Sequence, residues 1–338
     1  MDSYHFSQFT QGVFECLLVP HVLLQPYLLL YLFSNASSKM NQQPVVYDRE
    51  NATSDEYIHS HQNLYSTIIN SDPRCKPRTF FLVVVITTAK SFKHRAVYRD
   101  TVLSPIISNC LKDTKYVFLV GKPADVETQE KLEEENGQFQ DMVQGDFIDS
   151  YENLTIKSLF LLKWASENCA SAKYIFKLDD DVYAVLEDIR FHLKMNHVNF
   201  SPYTILGSIF NGAVPILDTK NKWHVKNFHE AVFPRYVSGT AYIISQKLLR
   251  PLFQAGVNLP FVRLEDVFVT GISARATKLD ISYVAAPGFQ YMNSVDNANL
   301  ARTDFHSQRT IHGLDTEHIQ FLHKKFASNV QSVCTTKS

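Results

Sequence analysis

Three consecutive carboxylates close a short apolar run, Tyr174-Ile175-Phe176-Lys177-Leu178-Asp179-Asp180-Asp181. A buried strand ending in acids places anionic oxygens at the carboxyl edge of a sheet, where open α/β folds bind ligands. Side chains alternate along an extended chain, so Asp179 and Asp181 are expected on one side and Asp180 on the other. Oxygens facing one side suit a hard divalent cation that also holds a substrate's phosphates. A solvated acidic turn is the plainer reading. The apolar strand weighs against it, because unpaired carboxylates at a core edge are costly.

Other residues have the right types for phosphate or proton chemistry. Arg95 and Arg99 lie one helical turn apart and share a face. Following a buried strand, they can present forked donors to a diphosphate, or form a solvated basic face. Lys157 falls in the first turn of a helix, where a cation opposes the dipole and calls for an anionic partner. Glu265-Asp266 reads, taken alone, as an acid pair at a helix amino terminus.

The elements that must position these groups alternate. Phe80–Ile86 and Tyr116–Val120 are continuous apolar runs of the buried parallel-strand kind. Phe92–Leu103 is expected to be helical, stopped by Pro105. Val126–Asn136 is an acidic helix capped by Gly137, and Asn153–Asn168 a third helix leading to the acid-ended strand. This alternation predicts an α/β fold with a mostly parallel central sheet. From Tyr203 the pattern loosens, with short strands at Ile205–Phe210 and Thr240–Ser245 and a helix near Glu317–Phe326. Neither Gly-x-Gly-x-x-Gly nor a P-loop occurs, so the usual nucleotide fingerprints do not apply.

The chain has 338 residues and a formal net charge of −1. This balance gives no sign of nucleic acid as a partner. Five cysteines are too few for a disulfide scaffold. Cys16 lies in an apolar stretch, and Cys75, Cys110, Cys169 and Cys334 can pair in three ways. After a short tail (1–12), residues 13–33 are apolar and about long enough, at about 20 residues, to cross a bilayer. Glu15, Pro20, Pro26 and the lack of any Lys or Arg before Lys39 make this a poor signal anchor. Residues 34–77 read as a flexible polar stem carrying the sequons Asn35 and Asn51. A catalytic domain is expected over 78–328 and a tail over 329–338. Sequons also occur at Asn153, which can instead start a helix, and at Asn199, which Pro202 disfavours.

Several segments, in order, resemble one family. Arg95-Ala96-Val97-Tyr98-Arg99-Asp100-Thr101-Val102 resembles R-x-x-x-R-x-T-W, with Val102 where Trp is usual. Val117-Phe118-Leu119-Val120-Gly121 is similar to F-L-L-G. Gly145 to Lys157 resembles D-F-x-D-x-Y-x-N-L-T-x-K, and the Asp179–Asp181 cluster resembles a D-x-D element. Phe233-Pro234-Arg235-Tyr236-Val237-Ser238-Gly239-Thr240-Ala241-Tyr242 is similar to Y-P-x-Y-x-S-G-x-G-Y, with Ala241 for Gly. Leu264-Glu265-Asp266-Val267-Phe268 resembles an E-D-V-[YF] segment. The set, over roughly residues 78–326, resembles the β-1,3-galactosyltransferases and their N-acetylglucosaminyl relatives, glycosyltransferase family 31.

The resemblance implies a GT-A-like nucleotide-sugar transferase fold and inverting transfer from a UDP-hexose, galactose first, to a glycan on protein or lipid. It implies Asp181 and His312 as ligands of Mn²⁺, with Mg²⁺ also compatible. Asp179 and Asp180 would contact the donor or its metal-bound water. Arg95, Arg99, Asp149 and Lys157 are expected at the donor site, with Tyr151 beside it, and Asp266 as the catalytic base. It also implies a Golgi membrane protein, single-pass type II, with a lumenal catalytic domain. An N-acetylglucosaminyl or N-acetylgalactosaminyl donor, or a noncatalytic carbohydrate-binding relative, is the alternative. A phosphoryl or nucleotidyl transfer enzyme would need further acids for a two-metal site.

Overall fold

The computed structural model describes residues 65–72, 75–225, 228–289 and 308–335. The expected membrane segment, the sequons Asn35 and Asn51, and Cys16 lie outside the described residues. Among these, no helix is long and apolar enough to cross a membrane.

The chain begins with an edge strand, β1 (Thr67–Asn70). The buried run follows as β2 (Phe81–Ile86) and leads into helix α1 (Phe92–Asp100). Then come β3 (Thr114–Lys122), helix α2 (Val126–Phe139), β4 (Met142–Ile148) and helix α3 (Leu154–Asn168). The acid-ended strand is β5 (Tyr174–Asp179), followed by the two-residue β6 (Tyr183–Ala184) and helix α4 (Leu186–Asn196). Strands β7 (Thr204–Phe210) and β8 (Tyr236–Ser245), helix α5 (Gln246–Gly256) and a π-helical stretch (Val267–Ser273) come next. Strands β9 (Ser282–Ala285) and β10 (Thr310–Ile311) precede the last helix, α6 (Thr316–Thr335).

Eight strands form one sheet in the order β1-β4-β3-β2-β5-β8-β7-β9. Its heart, β4-β3-β2-β5, is parallel. Strand β8 runs antiparallel to both β5 and β7. The order turns back at β2. Strands β3 and β4 step away on one side, and β5 joins on the other, with Ile86 opposite Asp179. A doubly wound sheet opens its crevice at the carboxyl ends of the strands flanking such a switch point. The three acids therefore emerge where the topology leaves room for a ligand.

Each face of β2 is buried, so its run needs no polar alternation. Phe81, Val83 and Val85 pack in one core with Tyr98 of α1, Leu193 of α4, and Ile319 and Leu322 of α6. On α3, Leu159 lies close against Gly256 of α5, and Phe160 meets the Phe147 ring of β4 at 5.8 Å. Trp164, also on α3, is buried and donates to Asn70 on β1 at 2.8 Å.

Several boundaries differ from the sequence expectations. The stem expected to run to residue 77 already contains β1, which pairs with β4. Strand β4 went unassigned because Gln144, Gly145 and Asp146 interrupt its apolar run; buried Gln144 is satisfied by Gly121 O and Gln129. Helix α2 does not stop at Gly137. It ends at Gln140, which adopts the left-handed conformation (φ 51°). Helix α6 continues to Thr335 through the expected tail. Ala241 packs in the core opposite Leu178.

Cys75, just before β2, is joined to Cys169 at the end of α3. Cys110 is also disulfide-bonded. The Cys75–Cys169 bridge closes a sequence separation of 94 residues, and removing such a link typically costs about 2–5 kcal/mol. A Cys75→Ser/Cys169→Ser variant is expected to lose stability in that range, read as a lowered urea midpoint under non-reducing conditions.

Candidate active site

The site's floor is built from the carboxyl ends of β2, β3 and β4. Asp149, just past β4, accepts the N–H groups of Ala89 and Gly121, each at 3.0 Å. Its other oxygen pairs with Lys157, whose ammonium also donates to Thr87 O at 2.9 Å. Lys157 is fully buried by this arrangement. Asp149 and Lys157 thus tie three strand ends together, and the anion that Lys157 required is an internal one. Asn153 behaves similarly: its side chain donates to Ile148 O at 2.8 Å, where the chain turns into α3.

Arg95 and Arg99, expected to reach a diphosphate, are paired with internal carboxylates. Arg95 is wholly buried and forks onto Glu135 while donating to Thr88 O and Ala89 O. Arg99 pairs with Glu135 and, through two nitrogens, with Asp141. It also lies 3.8 Å from the Phe139 ring centroid. Buried guanidinium groups need such partners. Together they lock α1 to α2 and the start of β4.

Strand β5 ends at Asp179, so the extended-chain alternation stops there and the three acids go three ways. Asp179 accepts from Lys177 at 2.7 Å. Asp180 accepts from the Thr87 hydroxyl at 2.6 Å. Asp181 faces His312, with Oδ2 and Nε2 3.3 Å apart. Buried Tyr98 pins the turn between them. Its hydroxyl accepts from Val182 N–H at 3.0 Å and lies 2.8 Å from Asp179 O, also touching Val182 O.

His312 reaches Asp181 through a two-stranded ribbon. Strand β10 pairs antiparallel with β6, Ile311 opposite Tyr183. The Leu314 N–H then donates to Asp181 O at 2.9 Å. Asp181 Oδ1 and His312 Nδ1 are buried and have no hydrogen-bond partner among the described residues. Buried polar atoms are rarely left this way. A carboxylate with an unmet oxygen, set beside the Nε2 of an imidazole, is a donor pair that fits a divalent cation. Among the described residues no third His, Cys, Asp or Glu joins them.

Lys177 joins the acid turn to the second acid pair. It is buried, 2.7 Å from Asp179 and 3.7 Å from Glu265, and it also meets Gly239 O. Burial would lower its pKa, but the charges of Asp179 and Glu265 outweigh that and raise it. Glu265 also accepts from Tyr242 at 2.6 Å. Asp266 caps the π-helical stretch, accepting Val267 N–H at 2.8 Å and Gly239 N–H at 3.1 Å. Gly239 suits this closeness, since a Cβ there would lie 3.1 Å from Glu265 Oε2 and 3.2 Å from Asp266 Cβ, a tight fit.

Burial, reinforced by the neighbouring Glu265 charge, pushes Asp266 up to about 6. Burial also lifts Asp179 to about 6, against the pull of Lys177 and with a further push from Asp181. Asp179 keeps about a third of its side chain open to solvent (34%), so its charged form is better hydrated than that of a closed carboxyl. A carboxylate poised near neutrality can serve as a general base.

Asp179, Asp180, Asp181, His312 and Asp266 are thus linked around one crevice, while Arg95, Arg99, Asp149 and Lys157 form its supports. Sequence reasoning passed over Lys177, Thr87 and Tyr98. For Lys177 a signal existed, because a charge inside an apolar strand requires a buried partner. Tyr98 and Thr87 carried none.

Residues 93–285 match the family model described as Galactosyltransferase. Human beta-1,3-galactosyltransferase 1 is 32% identical over 232 residues, covering 67% of this chain and 69% of that protein. Human lactosylceramide 1,3-N-acetyl-beta-D-glucosaminyltransferase is 28% identical over 61% of this chain and 57% of its own length. A solved glycosyltransferase involved in glycosylation of the PBCV-1 major capsid overlays 72% of this chain and 99% of its own, with TM-score 0.40 and 8% identity. The chain belongs to the galactosyltransferase family. It is accordingly a hexosyltransferase, with an α/β fold built on a mostly parallel central sheet.

Removing Lys177 would leave Asp179 and Glu265 without their shared cation. Breaking a buried pair in this way costs about 3–5 kcal/mol. Lys177→Ala is expected to lose that much in urea denaturation at pH 7.5.

Proposed function

We propose that the chain is an inverting β-1,3-glycosyltransferase that moves a hexose, galactose first, from a UDP-sugar to a hydroxyl of a glycan on protein or lipid. The reading rests above all on the link, through Lys177 and Gly239, between Asp266 and the Asp179–Asp181 turn. The acceptor oxygen attacks the anomeric carbon from the Asp266 side. A new C–O bond forms, the bond from the anomeric carbon to the diphosphate oxygen breaks, and the acceptor proton passes to Asp266. One displacement inverts the anomeric centre.

Asp181 and His312 are the residues that would hold Mn²⁺, or Mg²⁺. When bound, the cation supplies charge neutralisation for the leaving UDP. The charge balance of the site favours this reading. Arg95, Arg99 and Lys157 are engaged with internal carboxylates, and the turn itself adds Asp179 and Asp180. An anionic donor therefore meets an acid-rich crevice, which a divalent cation renders attractive. Thr87 and Tyr98 hold the acids in place for it.

The N-acetylglucosaminyl donor stays as a second reading because one relative carries that activity in its name. The disulfides suit an oxidising compartment. With the family, they support residence in the Golgi membrane through residues 13–33, in type II orientation, with the globular region from β1 to α6 as the catalytic domain.

Asp181→Ala and Asp266→Ala proteins with wild-type urea midpoints are expected to lose at least about 10²-fold in transfer, assayed with a panel of UDP-sugars, Mn²⁺ and glycan acceptors. Wild-type turnover by either variant would sink the proposal. Chelation by EDTA is expected to abolish turnover, and added Mn²⁺ to restore it. Full turnover after exhaustive chelation would remove the cation from the scheme.

A further inference from the structure

Two exposed aromatic rings lie on the Asp266 side of the site. Tyr151 lies two residues past Asp149 and is 49% exposed; Trp223, in the loop between β7 and β8, is 44% exposed. Arg263 connects them. Its guanidinium lies 5.9 Å from the Tyr151 ring centroid and donates to Lys222 O, next to Trp223. Arg263 precedes Asp266 by three residues.

The Trp223 loop is held in shape. Trp223 N–H donates to Asn221 Oδ1 at 2.9 Å, and His224 Nδ1 lies 2.9 Å from Ile216 O. Lys222 Nζ sits 4.5 Å from the indole centroid. The Tyr151 hydroxyl is raised in pKa by burial first, with Arg263 and Trp223 pulling it down and Asp266 and Asp179 pushing it up. That hydroxyl therefore lies within the fields of both acid clusters and of the indole.

Large exposed aromatic faces beside a few polar groups are the chemistry that recognises a pyranose. The apolar C–H face of the sugar stacks on a ring, while its hydroxyls find Arg263 and the tyrosine hydroxyl. Given the base assigned above, the group that must be presented to Asp266 is the acceptor's hydroxyl. We infer that Tyr151, Trp223 and Arg263 form the landing for the acceptor's terminal hexose, with the two rings setting how strongly it binds. The inference rests on the proposed transfer reaction for its direction, but its test does not require turnover.

The chain has two tryptophans. Trp164 is buried and bonded to Asn70, so a ligand-induced change in emission reports Trp223. Galactose- and N-acetylglucosamine-terminated oligosaccharides are titrated into the full chain, and UDP with Mn²⁺ is titrated separately. At least one oligosaccharide is expected to shift the emission saturably, and UDP is not. In steady-state assays, Trp223→Ala and Tyr151→Ala are each expected to raise the acceptor KM about tenfold, the size of a lost aromatic contact, and the donor KM by less than about twofold. A saturable shift by UDP alone, or a donor KM that rises in place of the acceptor KM, would assign the rings to the nucleobase and overturn the inference. Oligosaccharide binding without UDP release from any donor would instead refute the transfer reaction and leave the landing standing.

Discussion

One buried ammonium organises this molecule's chemistry. Lys177 sits in the middle of β5, shielded from water, with Asp179 on one side, Glu265 on the other and Gly239 O closing the gap. A lysine in such a strand is tolerable only if anions surround it. Its need for partners fixes where the first acid of the turn points and how near the Glu265-Asp266 pair must come. Strand β8 supplies Gly239 at that point, where a Cβ would sit in tight contact with both acids.

The cations of the first motif serve the same end at one remove. Arg95, Arg99 and Lys157 face inward, each against a carboxylate. They fix α1, the end of β3 and the start of α3 to the sheet, so that Thr87 and Tyr98 can grip Asp180 and the turn. The consequence is electrostatic. With these positive charges neutralised in the scaffold, the two acid motifs contribute five carboxylates and Lys177 one ammonium. A crevice of that sign is unsuited to a bare diphosphate and suited to a divalent cation.

Much of this was legible in the sequence. Strands β2, β3 and β5 announce themselves as apolar runs, and the ordered motifs draw attention to Asp181 and Asp266. What the residues could not reveal was partnership. Arg95 and Arg99 look like phosphate ligands because their spacing is right, and Glu135 and Asp141, 40 and 42 residues further along the chain, give no sign of claiming them. Strands β1 and β4 stay hidden because β1 lies at an edge, mostly exposed, and β4 carries Gln144, whose burial depends on a side-chain bond to Gln129 and a carbonyl on β3. The strand alternation that predicted Asp179 and Asp181 on one side fails for a local reason: the extended chain ends at the first of them.

The central claim is that the Glu265 charge helps hold Asp266 near neutrality and so sets when the base is available. The pH dependence of kcat/KM tests it most directly. Below about 6 the base is protonated, so kcat/KM should rise with pH through that value and then level off. Glu265→Gln keeps an acceptor for Tyr242 but removes the charge, and the rising limb should move to lower pH. A limb that stays where it is in the wild type, or moves upward, would contradict the account.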